Sequence, residues 1–98
     1  MQTVVVTGAT TGNNYAFIEQ LYSHGLKGHF DAMGVHTDTA CLIDSPYHYY
    51  RDPAAGNRIA RFTFLGVREV KAAMVANGDD KPVWITELGW AARAGETC

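Results

Sequence analysis

The sequence predicts an α/β fold, one βαβαβ unit with parallel strands. Three observations predict it: apolar runs at residues 3–7, 30–36 and 83–87, one-face helical spacing in the two stretches between them, and turn residues at the junctions. Residues 3–7 read Thr-Val-Val-Val-Thr. Apolar side chains on consecutive positions suit a strand covered on both faces, and Gly8 closes it. After a polar turn in which Asn13 and Asn14 turn the chain or cap the next element, Phe17, Ile18, Leu21 and Tyr22 fall on one face of a helix over 15–24. Gly25 suits its C-terminal end. The second strand, 30–36, carries Met33 and Val35 and ends on His36.

Residues 37–61 are rich in Tyr, Pro, Asp and Gly and show no period, so they read as an extended loop on the C-terminal side of that strand. Thr63 then caps a helix whose inward positions are Phe64, Val67, Val70 and Met74, with a stop at Asn77-Gly78. Asp79-Asp80-Lys81-Pro82 turns the chain into the third strand, 83–87, and residues 91–98 form a tail. The 98 residues make a single domain. Helical crossovers of this length join parallel strands, both in doubly wound sheets and in barrels, and periodicity does not separate the two.

Composition removes several function classes. At 47% hydrophobic and 11% aromatic residues the chain has enough apolar mass to collapse into a core. Eight basic against ten acidic residues leave a net charge of −2, the opposite of a nucleic-acid footprint. No apolar run approaches the roughly 20 residues that span a bilayer, so no membrane partner is expected. Met1-Gln2-Thr3 leads directly into Val4-Val5-Val6 without a signal-peptide pattern. Gly8-Ala9-Thr10-Thr11-Gly12 lacks dinucleotide-binding spacing and no phosphate loop is present, so no cofactor is expected. Cys41 and Cys98 lack zinc-site spacing, and no metal is expected. The only serines, Ser23 and Ser45, lie outside any nucleophile elbow.

The stretch 81–90, Lys-Pro-Val-Trp-Ile-Thr-Glu-Leu-Gly-Trp, delivers one carboxylate, Glu87, to the end of an apolar strand. It resembles the nucleophile strand of clan A glycoside hydrolases, the retaining glycosidases built on a (β/α)8 TIM barrel. Two further places match in the same order. Residues 3–8 with an Asn-rich turn and Phe17-Ile-Glu-Gln-Leu-Tyr resemble the fifth strand and helix, and Gly28-His-Phe-Asp-Ala-Met-Gly-Val-His36 resembles the sixth strand. The resemblance covers about residues 3–90 and implies a fragment spanning strands five to seven, acting on a polysaccharide or glycoside.

In that family an acid/base glutamate follows an asparagine on the fourth strand, and this chain contains no Asn-Glu pair. At 37–38 it has Thr-Asp where the family has Pro-Tyr, so the tyrosine that touches the nucleophile does not carry over. Retaining hydrolysis uses two carboxyl groups about 5–5.5 Å apart. Glu87 supplies only the attacking one; its plain alternative is a structural ion pair. The alternative for the whole chain is a non-catalytic carbohydrate-binding or self-assembling module.

His36, on the neighbouring strand, is expected to hydrogen-bond Glu87 or a sugar hydroxyl, against the simpler role of a histidine held by backbone. Trp90 is either a sugar-stacking platform or packing beneath the tail, while Trp84 reads as core or helix-facing. Tyr47, His48, Tyr49, Tyr50 and Arg51 have the composition of a carbohydrate rim, with Tyr49 the candidate contact, or of a loop that anchors itself. Asp38 and Asp44 are the nearest substitutes for the missing acid, and nothing raises them above solvated loop residues.

With this layout Cys41 and Cys98 lie over the same end of adjacent strands, so a bridge between them is reasonable beside the reading of two free thiols. A bridge would favour a secreted protein. A three-stranded piece of barrel also leaves strand edges unpaired, and an apolar face drawn from Val4, Val6, Met33, Val35, Trp84 and Thr86 exposed. Homo-oligomerisation is the expected remedy, completing the partial barrel.

Overall fold

A computed structural model describes residues 3–40 and 45–90, except the side chains of residues 38–40 and 90. Its order is helix α1 (Tyr15–Ser23), strand β1 (Met33–Ala40), short strands β2 (Arg51–Asp52) and β3 (Arg58–Ile59), helix α2 (Val67–Ala76) and strand β4 (Val83–Trp90). Strands β1 and β4 pair in parallel, and β2 and β3 pair antiparallel. The fold is therefore α/β with a parallel sheet.

Both helices close one face of β1. Met33 and Val35, 1% and 2% exposed, join Tyr15, Ile18 and Tyr22 of α1, Phe30, and Val70 and Met74 of α2 in one apolar cluster. These residues lie two apart on β1 and three to four apart on the helices, which is the geometry of a helix layer on a sheet. Tyr22 meets Phe30 edge-on at 6.4 Å between ring centroids and donates its hydroxyl hydrogen to Asp79, which is itself buried. Burial, reinforced by that hydrogen bond, pushes the Tyr22 hydroxyl well above its ordinary pKa.

The helix ends follow the capping residues. The Asn14 side chain accepts from the Phe17 amide at 3.3 Å, and α1 stops with His24 as its C-cap. The Thr63 hydroxyl accepts from the Gly66 amide at 3.1 Å, starting a 3₁₀ turn over Phe64–Gly66 that runs straight into α2.

Several expectations need correction. Residues 3–7 form no strand covered on both faces: Val6 makes one parallel bridge to Ala32, while Val4 and Val5 are 55% and 47% exposed. The segment docks through the Thr7 amide on the Ala32 carbonyl and the Asp31 and Ala32 amides on the Val5 carbonyl. Among the described residues nothing pairs with its outer side, so it is an edge. Gly34 permits the close approach, because a Cβ there would sit 2.5 Å from the Thr7 carbonyl oxygen.

The residues expected to share one exposed face divide between two. Met33 and Val35 point to the helices and are buried, whereas Val4 and Trp84 are exposed, the latter at 46%. Side-chain alternation along β1 enforces the division. Residues 37–61, expected as extended loop, hold the last four residues of β1 and the β2–β3 hairpin. Three ties anchor that hairpin to the helices: Tyr15 donates to the Ile59 carbonyl, the Ile59 amide donates to Glu69, and Arg58 pairs with Glu19.

One side chain joins the N-terminal turn, β1 and the chain entering α2. Asn13, 1% exposed with φ of 45°, donates from Nδ2 to Thr37 Oγ1 at 2.9 Å, the Thr63 carbonyl at 3.0 Å and the Arg61 carbonyl at 3.1 Å. Its backbone amide donates to the His36 carbonyl at 3.0 Å. Replacing it with alanine removes the donor from three acceptors and leaves a left-handed backbone on a residue that resists it. We expect Asn13→Ala to cost about 2–3 kcal/mol in chemical denaturation, and Asn13→Gly to recover about 1 kcal/mol of this by relieving the backbone alone.

Candidate functional site

Glu87 and His36 sit side by side on adjacent parallel strands. They are register partners, with His36 Nε2 and Glu87 Oε2 3.9 Å apart. That distance is an ion-pair contact and too long for a hydrogen bond. The imidazole is 32% and the carboxylate 62% exposed, so the pair is open to solvent and to a ligand. Neither residue ends its strand, as the sequence had suggested. Pairing continues through Thr37, Asp38 and Ala40 of β1 against Leu88, Gly89 and Trp90 of β4.

The pair lies on the face of the sheet away from the helices. Gly34 and His36 are two apart on β1, so they share a face, and their partners Trp84 and Glu87 share it too. The Val6 side chain borders this face beside Gly34. Trp84, read from sequence as core or helix-facing, is therefore a half-exposed indole on the same face as the carboxylate. Among the described residues helix cover reaches β4 only at Val83, which packs against the core, while Ile85 and Leu88 are 40% and 49% exposed.

A break in strand register sets where Glu87 points. Val35 pairs with Ile85, yet the next residue, His36, pairs with Glu87 and skips Thr86. The Thr86 hydroxyl donates to the Val35 carbonyl at 3.3 Å at this point. A second shift follows between Asp38 and Ala40. No sequence signal marked Thr86 or Asn13 as important: a bulge and a buried amide depend on partners 24 to 51 residues away.

Of the other candidates, Tyr49 is 43% exposed, and among the described residues no hydrogen bond, ion pair or ring contact joins it to His36 or Glu87. The backbone of Trp90 pairs with Ala40, while its side chain lies outside the described part of the chain. Cys41, Cys98 and Asp44, with the expected bridge, lie outside the described residues, as does the side chain of Asp38.

The described carboxylates other than Glu87 have partners elsewhere. Glu19 pairs with Arg58, Glu69 accepts from the Ile59 amide, and Asp31 accepts from the Val5 amide. Asp52 caps its own turn, Asp79 holds Tyr22 and Lys81, and Asp80 pairs with Lys71. Among the described residues there is no group of three or more His, Cys, Asp or Glu that could hold a metal ion, and no helix long and apolar enough to cross a membrane.

No family model, curated protein or solved structure matches this chain.

Exposed ion pairs contribute little to stability because water screens them and two side chains lose freedom. A thermodynamic cycle of His36→Ala and Glu87→Gln, singly and together, is expected to give a coupling energy below about 1 kcal/mol in urea unfolding.

Proposed function

We propose that this chain is a glycoside hydrolase-like unit, corresponding to strands five to seven of a (β/α)8 barrel, in which Glu87 is the nucleophilic carboxylate. The observation that carries the reading is the Glu87–His36 pair, facing solvent on neighbouring parallel strands. An accessible carboxylate beside an imidazole suits attack on an anomeric carbon, with His36 hydrogen-bonding a sugar hydroxyl or holding Glu87. The helix cover supports the barrel origin, since it falls on one face only and leaves the other, with the pair, to point inward in a closed barrel.

The second reading is a carbohydrate-binding or self-assembling module without turnover. It is favoured by the carboxylate inventory, because a retaining reaction needs a protonated acid about 5–5.5 Å from the nucleophile. Each described carboxylate apart from Glu87 is engaged by another group. The isolated chain is therefore inactive or weak unless the acid comes from beyond these residues.

Hydrolysis of activated aryl glycosides separates the readings, since a good leaving group lessens the need for the acid. The enzyme reading expects turnover that Glu87→Gln lowers by at least on the order of 10³-fold. Polysaccharide binding without turnover supports the module, and a Glu87→Gln variant with unchanged activity removes Glu87 from the chemistry.

Self-association belongs to both readings. Strand β4 is paired only to β1 among the described residues, and it carries exposed Trp84, Ile85 and Leu88. A free edge of this length is a template for another strand. Light scattering at micromolar concentration is expected to report a dimer or larger; a folded monomer there refutes it.

A further inference from the structure

The register of β1 against β4 shifts for only a short window. Partners differ by fifty in residue number at Met33, Gly34 and Val35, by fifty-one at His36, Thr37 and Asp38, and by fifty again at Ala40. Two opposite bulges thus enclose three residue pairs, and the first of them is His36 with Glu87. Each bulge interrupts ladder hydrogen bonding and re-aims the side chains beyond it.

The consequence for Glu87 is the face it occupies. In the unshifted register Thr86 would stand opposite His36 and Glu87 opposite Thr37. Thr37 is 0% exposed on the helix-covered side, where its hydroxyl accepts from Asn13 and donates to the Phe64 carbonyl. A one-residue slip reverses every side chain in a strand. Without the bulge the carboxylate would turn toward the helix side, where Leu88 now stands opposite Thr37, and leave the imidazole. Thr86, the extra residue, holds the Val35 carbonyl where the shift begins.

We propose that Thr86 is a positioning residue whose hydroxyl fixes the bulge that turns Glu87 onto the face of His36. The inference takes from the proposed function only that Glu87 and His36 are the pair to be brought together. Threonine suits the task because it is β-branched, fits a strand, and still offers a donor to the carbonyl at the break.

The test reads proximity rather than activity. In the full chain with Cys41 and Cys98 replaced by serine, cysteines are introduced by His36→Cys and Glu87→Cys, and the rate of bridging by a short dithiol-bridging reagent is measured. Same-face partners on adjacent strands hold their Cβ atoms about 4.5–5.5 Å apart, so the bridge should form readily. Adding Thr86→Val or Thr86→Ala is expected to slow it about ten-fold, because the carboxylate position turns to the other face, while Thr86→Ser restores it to within about two-fold.

Circular dichroism on each variant checks that the fold persists. Unchanged bridging in folded Thr86→Val or Thr86→Ala overturns the proposal. So does failure of both to fold while Thr86→Ser folds, which makes Thr86 structural. None of these rates involves a sugar, so a chain that neither binds nor cleaves glycosides defeats the proposed function and leaves the positioning result to stand or fall alone.

Discussion

The buried amide of Asn13 is the interaction on which the rest of this small fold depends. Its two Nδ2 hydrogens serve three acceptors, on Thr37, Arg61 and Thr63, so one hydrogen is shared. Those acceptors lie on two segments distant from it in sequence, while Oδ1 has no hydrogen-bond partner among the described residues. The opposite amide orientation would aim an acceptor at two carbonyls, so the network itself fixes which end faces inward. The position also needs a positive φ, which asparagine tolerates better than most residues. Gly66 completes the arrangement, since a Cβ there would lie 2.8 Å from the Ala60 carbonyl oxygen and 3.1 Å from the Asn13 amide nitrogen. The Asn13 backbone amide binds the His36 carbonyl, so the same knot that joins the segments holds one half of the candidate site in place.

From this knot the sheet acquires two unlike faces. The helix side is filled by Met33, Val35 and their aromatic and aliphatic neighbours, and closed at the level of Thr37 by the Asn13 network. The other side carries Val6, Gly34, His36, Trp84 and Glu87, with no helix over it among the described residues. Apolar stabilisation is thus concentrated on one side, while the polar pair stands on the side that contributes least. An ion pair this exposed is too weak to explain why two strand bulges bracket it. The first of them turns Glu87 onto the open face beside His36, and the second restores the earlier register after Asp38.

Legibility in the sequence depends on how local each signal is. The two helices were legible because their apolar spacing and their caps, Asn14 and Thr63, lie within a few residues of the turns they govern. The parallel pairing of β1 with β4 was legible from two apolar runs joined by a helix, and the Glu87–His36 neighbourhood came with it. The strand at residues 3–7 failed because three consecutive valines favour extended backbone but do not supply an outer neighbour, and an edge with one bridge is what remains. Trp84 was read as core or helix-facing from its place inside the strand, although its exposure depends on which face the helices cover. Asn13 looked like any turn asparagine, because its worth lies in acceptors 24 to 50 residues away. The bulge at Thr86 was invisible for the same reason, and strict alternation would have sent Glu87 to the wrong side.

On the proposed reading, the missing acid and the β4 edge that no described residue pairs meet at one place. A retaining mechanism asks for a second carboxyl about 5–5.5 Å from Glu87. One edge of β4 is occupied by β1 and Glu87 stands on the open face, so among the described residues its approaches are that face and the outer edge of β4. Neighbouring strands lie about 4.8 Å apart, which is close to the separation that the reaction needs. A strand added to that edge, with an acidic residue level with Glu87, would therefore meet the catalytic distance without any rearrangement of this chain. The same addition would cover Trp84, Ile85 and Leu88 and pair the β4 edge that no described residue pairs. On the proposed reading, whatever pairs with this edge is also in position to supply the second carboxyl.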